Sequence, residues 1–381
     1  MLLLSVSFVL LSIRCDGYKF LIYSPQIGHS HVAFFGQIAD ALVDAGHDAL
    51  LYVPSFFENV KTTAAKRARI LELQLADKKL MDKLREERFD VGITETFNMC
   101  GYAIFDKIGI RTHISAFATN LVDVFSYPFG VANNPSYVPG TFTQLSDVMS
   151  YGQRWQNVAS YAALYLMCEL FYRPILKFEG VAPGFSLDDI IPRSVFVFVN
   201  SEEFLEYPRP ISHKVVFVGG IGVTKPKPLA EEYKRIMDNA KGAVVLISFG
   251  SIAKSSEMPS NIKDAFVGMF AQLPEVTFIW KYEVDDDIGA NFTNVIKKKW
   301  VPQNDLFAHP KLSAFVTHGG QNSVTESTHA GIPMICVPLF GDQMRNAKMA
   351  EKRNVALIVD KKEITADRLT VAVRTVLYNQ T

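Results

Sequence analysis

The densest chemistry in this sequence lies between residues 300 and 343, WVPQNDLFAHPKLSAFVTHGGQNSVTESTHAGIPMICVPLFGDQ. Residues 314–317 read as a strand that runs out at His318-Gly319-Gly320, and a helix is expected to open near Gln321-Asn322-Ser323. Glycines at such a turn let backbone N–H groups approach a ligand closely. The helix N-terminus adds unpaired N–H groups and the positive end of its dipole. A phosphate needs such a site, and His318 offers a further donor. Taken alone, the string fits a Gly-rich turn over a buried histidine equally well. Its neighbours point to a larger ligand. Trp300, ahead of Pro302, offers an indole face to a planar base. Glu326 stands four residues after Asn322 on one helix face, where a carboxylate suits ribose hydroxyls. Asp342 and Gln343 follow a strand and a Pro-Leu-Phe-Gly loop, and together accept from and donate to sugar hydroxyls. Singly, each is an ordinary solvated side chain. Together they make a site for base, ribose, phosphate and sugar.

A second group lies near the start. The segment Ser24-Pro-Gln-Ile-Gly-His29-Ser30-His31 follows a strand and opens a helix. A histidine at a helix N-terminus is held neutral by the dipole and can act as a base. His31 is the favoured base and His29 its rival. A zinc site on the two lacks a third ligand. A general base needs an orienting partner. Glu95, at the end of the strand expected over 90–94, is the candidate, with helix capping as the alternative. C-terminal ends of parallel strands share one sheet edge, so Glu95 and His31 are expected to meet there.

Positioning these groups takes an alternation of short apolar strands and amphipathic helices. Strands are expected at 19–24, 49–53, 90–94, 194–199 and 215–220, with a helix over 31–45 that Gly46 ends. After the Pro-rich stretch 223–229, which cannot be regular helix, strands are expected at 243–249, 277–280, 314–317, 334–337 and 356–359. This rhythm predicts α/β architecture, with two parallel-sheet domains and a ligand cleft between them.

Bulk properties agree. The chain has 381 residues, 49% hydrophobic and 20% charged, enough for two cored domains. Lys+Arg and Asp+Glu both number 39, so no electrostatic footprint for a nucleic-acid partner exists. Residues 1–16 read as a secretory signal, with a buried first strand as the alternative. Residues 158–176, broken by Glu169, Arg173 and Pro174, read as an acceptor-side core helix rather than a membrane span. Cys15, Cys100, Cys168 and Cys336 show no metal-ligand spacing. Asn291 and Asn379 begin glycosylation sequons.

The 300–343 run resembles the signature of the UDP-glycosyltransferase family, which includes the UDP-glucuronosyltransferases. The W-x-P-Q start, the H-G-G-x-N turn, the Glu four residues on and the final D-Q all match. Ser248-Phe-Gly-Ser251 is similar to the family's S-F-G-S turn, 198–202 and 218–221 to its interdomain segment, and 135–139 to an acceptor-domain element. The resemblance covers nearly the whole chain. It implies a GT-B fold, two facing Rossmann-like domains with parallel sheets. Residues 17–222 would bind the acceptor and 223–381 the UDP-sugar. Trp300 would stack on uracil and Gln303 would hydrogen-bond it. Glu326 would hold the ribose, Ser251, His318, Gly320 and Asn322 the diphosphate, and Asp342 and Gln343 the sugar. No metal or cofactor is implied, since helix amides and His318 would neutralise the leaving diphosphate; the UDP-sugar is a co-substrate.

The resemblance further implies a small lipophilic acceptor, deprotonated by His31, and inversion at the sugar by direct displacement. The aromatic stretch 117–137 would line the acceptor pocket, or else be core. The chain departs from the family in carrying Glu95 where Asp is usual, in a short stretch between 57 and 70, and at its end, where last helices and a membrane anchor are expected and not found. The secretory pathway and the lumen of the endoplasmic reticulum are implied, while the oligomeric state, a homo-oligomer included, stays open. The rival readings are a non-catalytic UDP-sugar-binding homologue, a dehydrogenase and an epimerase. No G-x-G-x-x-G opens a helix here, which argues against the dehydrogenase.

Overall fold

The computed structural model describes residues 17–25, 28–54, 65–71, 78–172 and 185–378. The leader expected at 1–16, most of the short 57–70 stretch and the sequon at Asn379 lie outside the described residues. Asn291 is exposed.

Two parallel sheets organise the chain. The first joins β1 (Lys19–Tyr23), β2 (Asp48–Tyr52), β3 (Arg69–Leu71), β4 (Val91–Glu95), β5 (Thr112–Phe117), β6 (Phe196–Val199) and β7 (Val215–Phe217) in the order β3-β2-β1-β4-β5-β6-β7. The second joins β8 (Val244–Ser248), β9 (Thr277–Lys281), β10 (Val295–Lys298), β11 (Leu312–Thr317), β12 (Met334–Cys336) and β13 (Ala356–Ile358) in the order β10-β9-β8-β11-β12-β13. Both are Rossmann orders, winding outward in both directions from a central pair. In the first sheet that pair is β1 and β4, and in the second it is β8 and β11. Ligands of such sheets sit at the strand C-termini where the winding reverses.

Helices cover both faces of each sheet, so central strands are near-continuous apolar runs. All five residues of β8, VVLIS, are buried. In the first domain the helix His29–Asp44 packs Phe34, Phe35 and Ile38 on one face, while Leu84, Phe105 and Ile108 fill the other. In the second, Phe266, Phe270 and Trp280 pack on one face, and Leu306, Phe315 and Val324 on the other. The 223–229 stretch is neither helix nor strand. It is pinned to the second domain by the Lys227 N–H to Asp305 (2.8 Å) and by Asn304 to the Thr224 carbonyl (2.6 Å).

The structure corrects the sequence reading in two places. Strands β3, β5 and β10 were not expected. β5 carries His113 and Ser115 inside a buried strand, which hides its apolar pattern. Tertiary partners satisfy both: the Ile190 carbonyl lies 3.0 Å from His113 Nε2, and Ser115 bonds Tyr102 (2.5 Å) and Ser194 (2.7 Å). Of the core helix expected at 158–176, residues 173–176 lie outside the described residues, and the rest belongs to a helix over Tyr151–Met167 that loosens into a π-turn over Cys168–Tyr172. A capping box between Ser150 and Gln153 opens it. Along Tyr151–Met167 only Asn157 is buried, and Trp155, Tyr165 and Leu166 are more than half exposed. Apolar residues without helical periodicity create no buried face. Asn157 anchors the helix instead, bonding the Pro135 and Val138 carbonyls (2.7 and 2.8 Å) and the Gly140 N–H (2.8 Å). In the aromatic stretch, the core alternative holds for Phe117 and Phe129, which are buried, while Tyr127 points to solvent.

Candidate active site

At the reversal point of the first sheet, β1 leads into the helix His29–Asp44 and β4 ends at Glu95. The two elements are sheet neighbours, so His31 and Glu95 meet: Nδ1 lies 2.7 Å from Oε2. Glu95 is fully buried. Its second oxygen accepts the Ala118 N–H at 3.2 Å, just past β5. The extra methylene of Glu over Asp therefore still leaves a direct contact. A carboxylate on Nδ1 fixes the ring and leaves Nε2 to accept a proton. Phe97 lies edge-on to His31, with centroids 6.1 Å apart, and Phe125 packs edge-on to Phe97. An apolar molecule beside His31 would meet the Phe97 ring. Phe97 was missed in the sequence because it lies on a loop with no periodic signal.

Two opposing influences act on the His31 pKa. Burial does disfavour its charged form. The Glu95 carboxylate, its hydrogen bond and the charge of Asp342 outweigh that and raise the pKa above the ordinary value. Asp342 of the second domain in turn feels the His31 charge, which lowers its pKa against the effect of burial. His29 turns elsewhere: its ring lies 6.3 Å from that of Trp300, and burial lowers its pKa.

At the reversal point of the second sheet, β8 ends in the Gly250-Ser251 turn and β11 in His318-Gly319-Gly320. The helix Gln321–His329 then starts with Gly320 as N-cap. The His318 ring is wedged between two glycines. A Cβ on Gly250 would lie 2.8 Å from its Cε1, and one on Gly320 would lie 2.6 Å from its Nε2. Both positions are therefore closed to larger residues, and Gly250 also has φ +81°. Burial, with the Lys281 charge, lowers the His318 pKa to about 4. His318 is thus neutral near pH 7 and can offer a diphosphate an N–H. Ser251 is exposed in its turn.

The remaining candidates gather around the same turn. Trp300 exposes 62% of its surface, and Lys281 Nζ lies 5.6 Å from its ring centroid. Gln303 begins the helix Gln303–Phe307 and donates to Glu326 at 2.7 Å, so the groups expected on base and ribose hold one another. Burial raises the Glu326 pKa, and the Gln303 hydrogen bond only partly offsets this. Asp342 is the N-cap residue of the helix Gln343–Lys352. The Gln343 carbonyl accepts the Leu339 and Phe340 N–H groups (2.8 and 3.1 Å), which leaves its NH2 end as the group for a ligand. Asn322 accepts from Asn200 across the cleft at 2.7 Å. Every candidate therefore lies at one of two facing sheet edges.

Two parallel-sheet domains, with a His–Glu pair at one reversal point and a glycine turn opening a helix at the other, have the architecture of a nucleotide-sugar transferase. Comparison with known proteins agrees. A family model described as UDP-glucoronosyl and UDP-glucosyl transferase matches residues 2–381. UDP-glucuronosyltransferase 1-2 of Mus musculus is 34% identical over 86% of this chain and 62% of its own length. The chain ugt-56 of Caenorhabditis elegans is 29% identical over 96% of this chain and 79% of its own. Two solved structures share the GT-B fold. The glycosyltransferase of kitacinnamycin has a TM-score of 0.67 at 20% identity, with 95% of this chain and 91% of that chain covered. Phytolacca americana UGT2, solved with UDP-2-fluoro-glucose and pterostilbene, has a TM-score of 0.64 at 18% identity, with 96% and 91% covered. The chain belongs to the UDP-glycosyltransferase family of enzymes. It spans about four fifths of the nematode relative and about three fifths of the mouse one. Among the described residues, no helix is long and apolar enough to cross a membrane.

Proposed function

We propose that this chain transfers glucose or glucuronic acid from the UDP-sugar to a hydroxyl of a small lipophilic acceptor, with inversion, in the lumen of the secretory pathway. The observation that carries the reading is the His31–Glu95 pair, 2.7 Å apart at the reversal point of the first sheet. The acceptor hydroxyl sits between His31 and the anomeric carbon, against Phe97. His31 Nε2 takes its proton as the oxygen attacks. The bond from the anomeric carbon to the β-phosphate oxygen breaks, and its electron pair leaves with UDP. Positive charge builds on the sugar ring. The N–H groups at 319–322 and His318 hold the growing negative charge on the diphosphate. Trp300 and Gln303 take the uracil, Glu326 the ribose, Ser251, Gly320 and Asn322 the phosphates, and Asp342 with Gln343 the sugar. The chemistry needs no cofactor beyond the UDP-sugar.

The test is acceptor-dependent UDP release by the purified chain, with UDP-glucose and UDP-glucuronic acid against a panel of phenols. Proton NMR of the product reads the anomeric configuration. A β-linked product from an α-linked donor supports the reading. UDP binding without release, with every donor and acceptor, overturns the catalytic claim and leaves a binding homologue.

Two variants report on the assigned parts. Trp300→Ala removes a stacking platform of roughly 1–3 kcal/mol, so calorimetry is expected to show UDP binding weakened by about tenfold or more. An unchanged Kd would remove Trp300 from the base site. Glu95→Gln replaces the carboxylate that stabilises the imidazolium. The His31 pKa then falls, and the acid limb of the kcat/KM profile moves to lower pH, because the base form persists further down. The rate on the plateau drops as well, since a weaker and less oriented base remains, by roughly a hundredfold. A limb that stays in place would show that another group titrates.

A further inference from the structure

Two asparagine pairs bridge the cleft. Asn120 Nδ2 donates to Asn346 Oδ1 at 2.8 Å, and Asn200 Nδ2 donates to Asn322 Oδ1 at 2.7 Å. Asn120 and Asn346 are fully buried, and Asn200 nearly so. Both first-domain partners meet at the end of β5, Asn200 from just past β6. Asn120 lies on the stretch that follows β5, and Asn200 is tied to it by its N–H to the Phe117 carbonyl (3.0 Å) and its Nδ2 to the Ala118 carbonyl (3.0 Å). The Ala118 N–H in turn holds Glu95.

A side-chain amide has one accepting end and one donating end. Engaging the carbonyl decides where the NH2 group points. Asn346 donates to Asp342 Oδ2 at 2.8 Å and to the Gly319 carbonyl at 3.1 Å. Turned over, its oxygen would face two acceptors and its nitrogen would face the Asn120 donor, so the network sets the orientation. For Asn322, the Ala118 carbonyl keeps the Asn200 NH2 group where it is. That group claims the Asn322 oxygen and leaves the Asn322 NH2 end for a ligand at the helix N-terminus.

We infer that Asn120 and Asn200 are positioning residues that complete the donor site from the opposite domain. Asn200 aims the Asn322 amide at the diphosphate, and Asn120, through Asn346, fixes the Asp342 carboxylate on the sugar. The inference rests on the UDP-sugar transferase reading above. It makes donor recognition depend on both domains, and it runs through the same stretch that holds the catalytic carboxylate.

The two residues should fail differently, which a loss of packing would not produce. With the full chain, Asn200→Ala is expected to weaken UDP itself about tenfold. Asn120→Ala is expected to leave the UDP Kd within about twofold and to lower kcat/KM for the UDP-sugar by about tenfold or more. Asn120→Asp, close in shape, is expected to be worse than alanine for the UDP-sugar, because a carboxylate there demands the Asn346 NH2 group and turns its oxygen onto Asp342. Thermal melts set the assay temperature for each variant, and the alanine variant carries the test if the aspartate variant does not fold. If UDP affinity and UDP-sugar efficiency fall together in both alanine variants, or if neither changes, the inference is overturned while wild-type transfer stands. A wild-type chain that binds no UDP overturns the functional reading and this inference with it.

Discussion

Alanine at position 31 is expected to lower kcat by about a thousandfold while leaving the Kd for UDP within about twofold. A positioned general base contributes roughly 10²–10⁴-fold, and the pairing with buried Glu95 places His31 toward the middle of that range. Alanine removes the proton acceptor but nothing assigned to UDP, so the loss falls on turnover. The pH dependence carries the same assignment. The His31 pKa is raised despite burial, because Glu95 and Asp342 stabilise the imidazolium. The base form is therefore lost as pH falls through a value above the usual 6.5 of histidine, and wild-type kcat/KM should climb through that region to a plateau. His31→Ala should show a flat residual rate there. Steady-state UDP release across pH 5–9, with calorimetry of UDP binding, measures both. His29→Ala is the control: its ring lies by Trp300, so it should alter UDP affinity more than kcat. If His29→Ala abolishes turnover and His31→Ala does not, the assignment of the base is wrong.

The largest expected effect on stability is at Arg345. Its side chain is fully buried and forms an ion pair with Glu206 of the first domain, itself 4% exposed. Burial works against both charges, but each holds the other ionised: the Glu206 pKa is lowered by Arg345 and Arg209, and the Arg345 pKa is raised by Glu206. Arg345 also stacks on Tyr207, with Cζ 5.1 Å from the ring centroid. Removing one partner of such a pair strands the other charge, at a cost of roughly 3–5 kcal/mol. Arg345→Ala is thus expected to lower the melting temperature by roughly ten degrees. Arg345→Met paired with Glu206→Met removes both charges and should recover most of the loss, because the desolvation cost disappears with the attraction. Scanning fluorimetry of the four proteins, read as a double-mutant cycle, measures this. Additive losses would show that the pair is not coupled.

Much of this was legible locally. The His318-Gly319-Gly320 turn, the helix after it and the Asp342-Gln343 pair could be placed because a glycine turn opening a helix is built from contiguous residues. Strands such as β8 and β11 were legible because both of their faces are buried. β5 was not, since His113 and Ser115 are paid for by partners distant in the chain. Its absence hid the stretch 117–120, and with it the group that holds Glu95 and both asparagine bridges. The direction of the His31 shift also escaped: Glu95 and Asp342, both distant in the chain, raise its pKa.

By itself the sequence determined the two successive α/β units, the glycine turn and the candidate base, because each depends on residue types within a few positions. Tertiary structure decided which groups meet. His31 and Glu95 are 64 residues apart, Asn120 and Asn346 are 226 apart, and Arg345 and Glu206 are 139 apart. Those contacts depend on strand order and on how the two sheet edges face each other. Both are consequences of packing the whole chain, and no local periodicity encodes them.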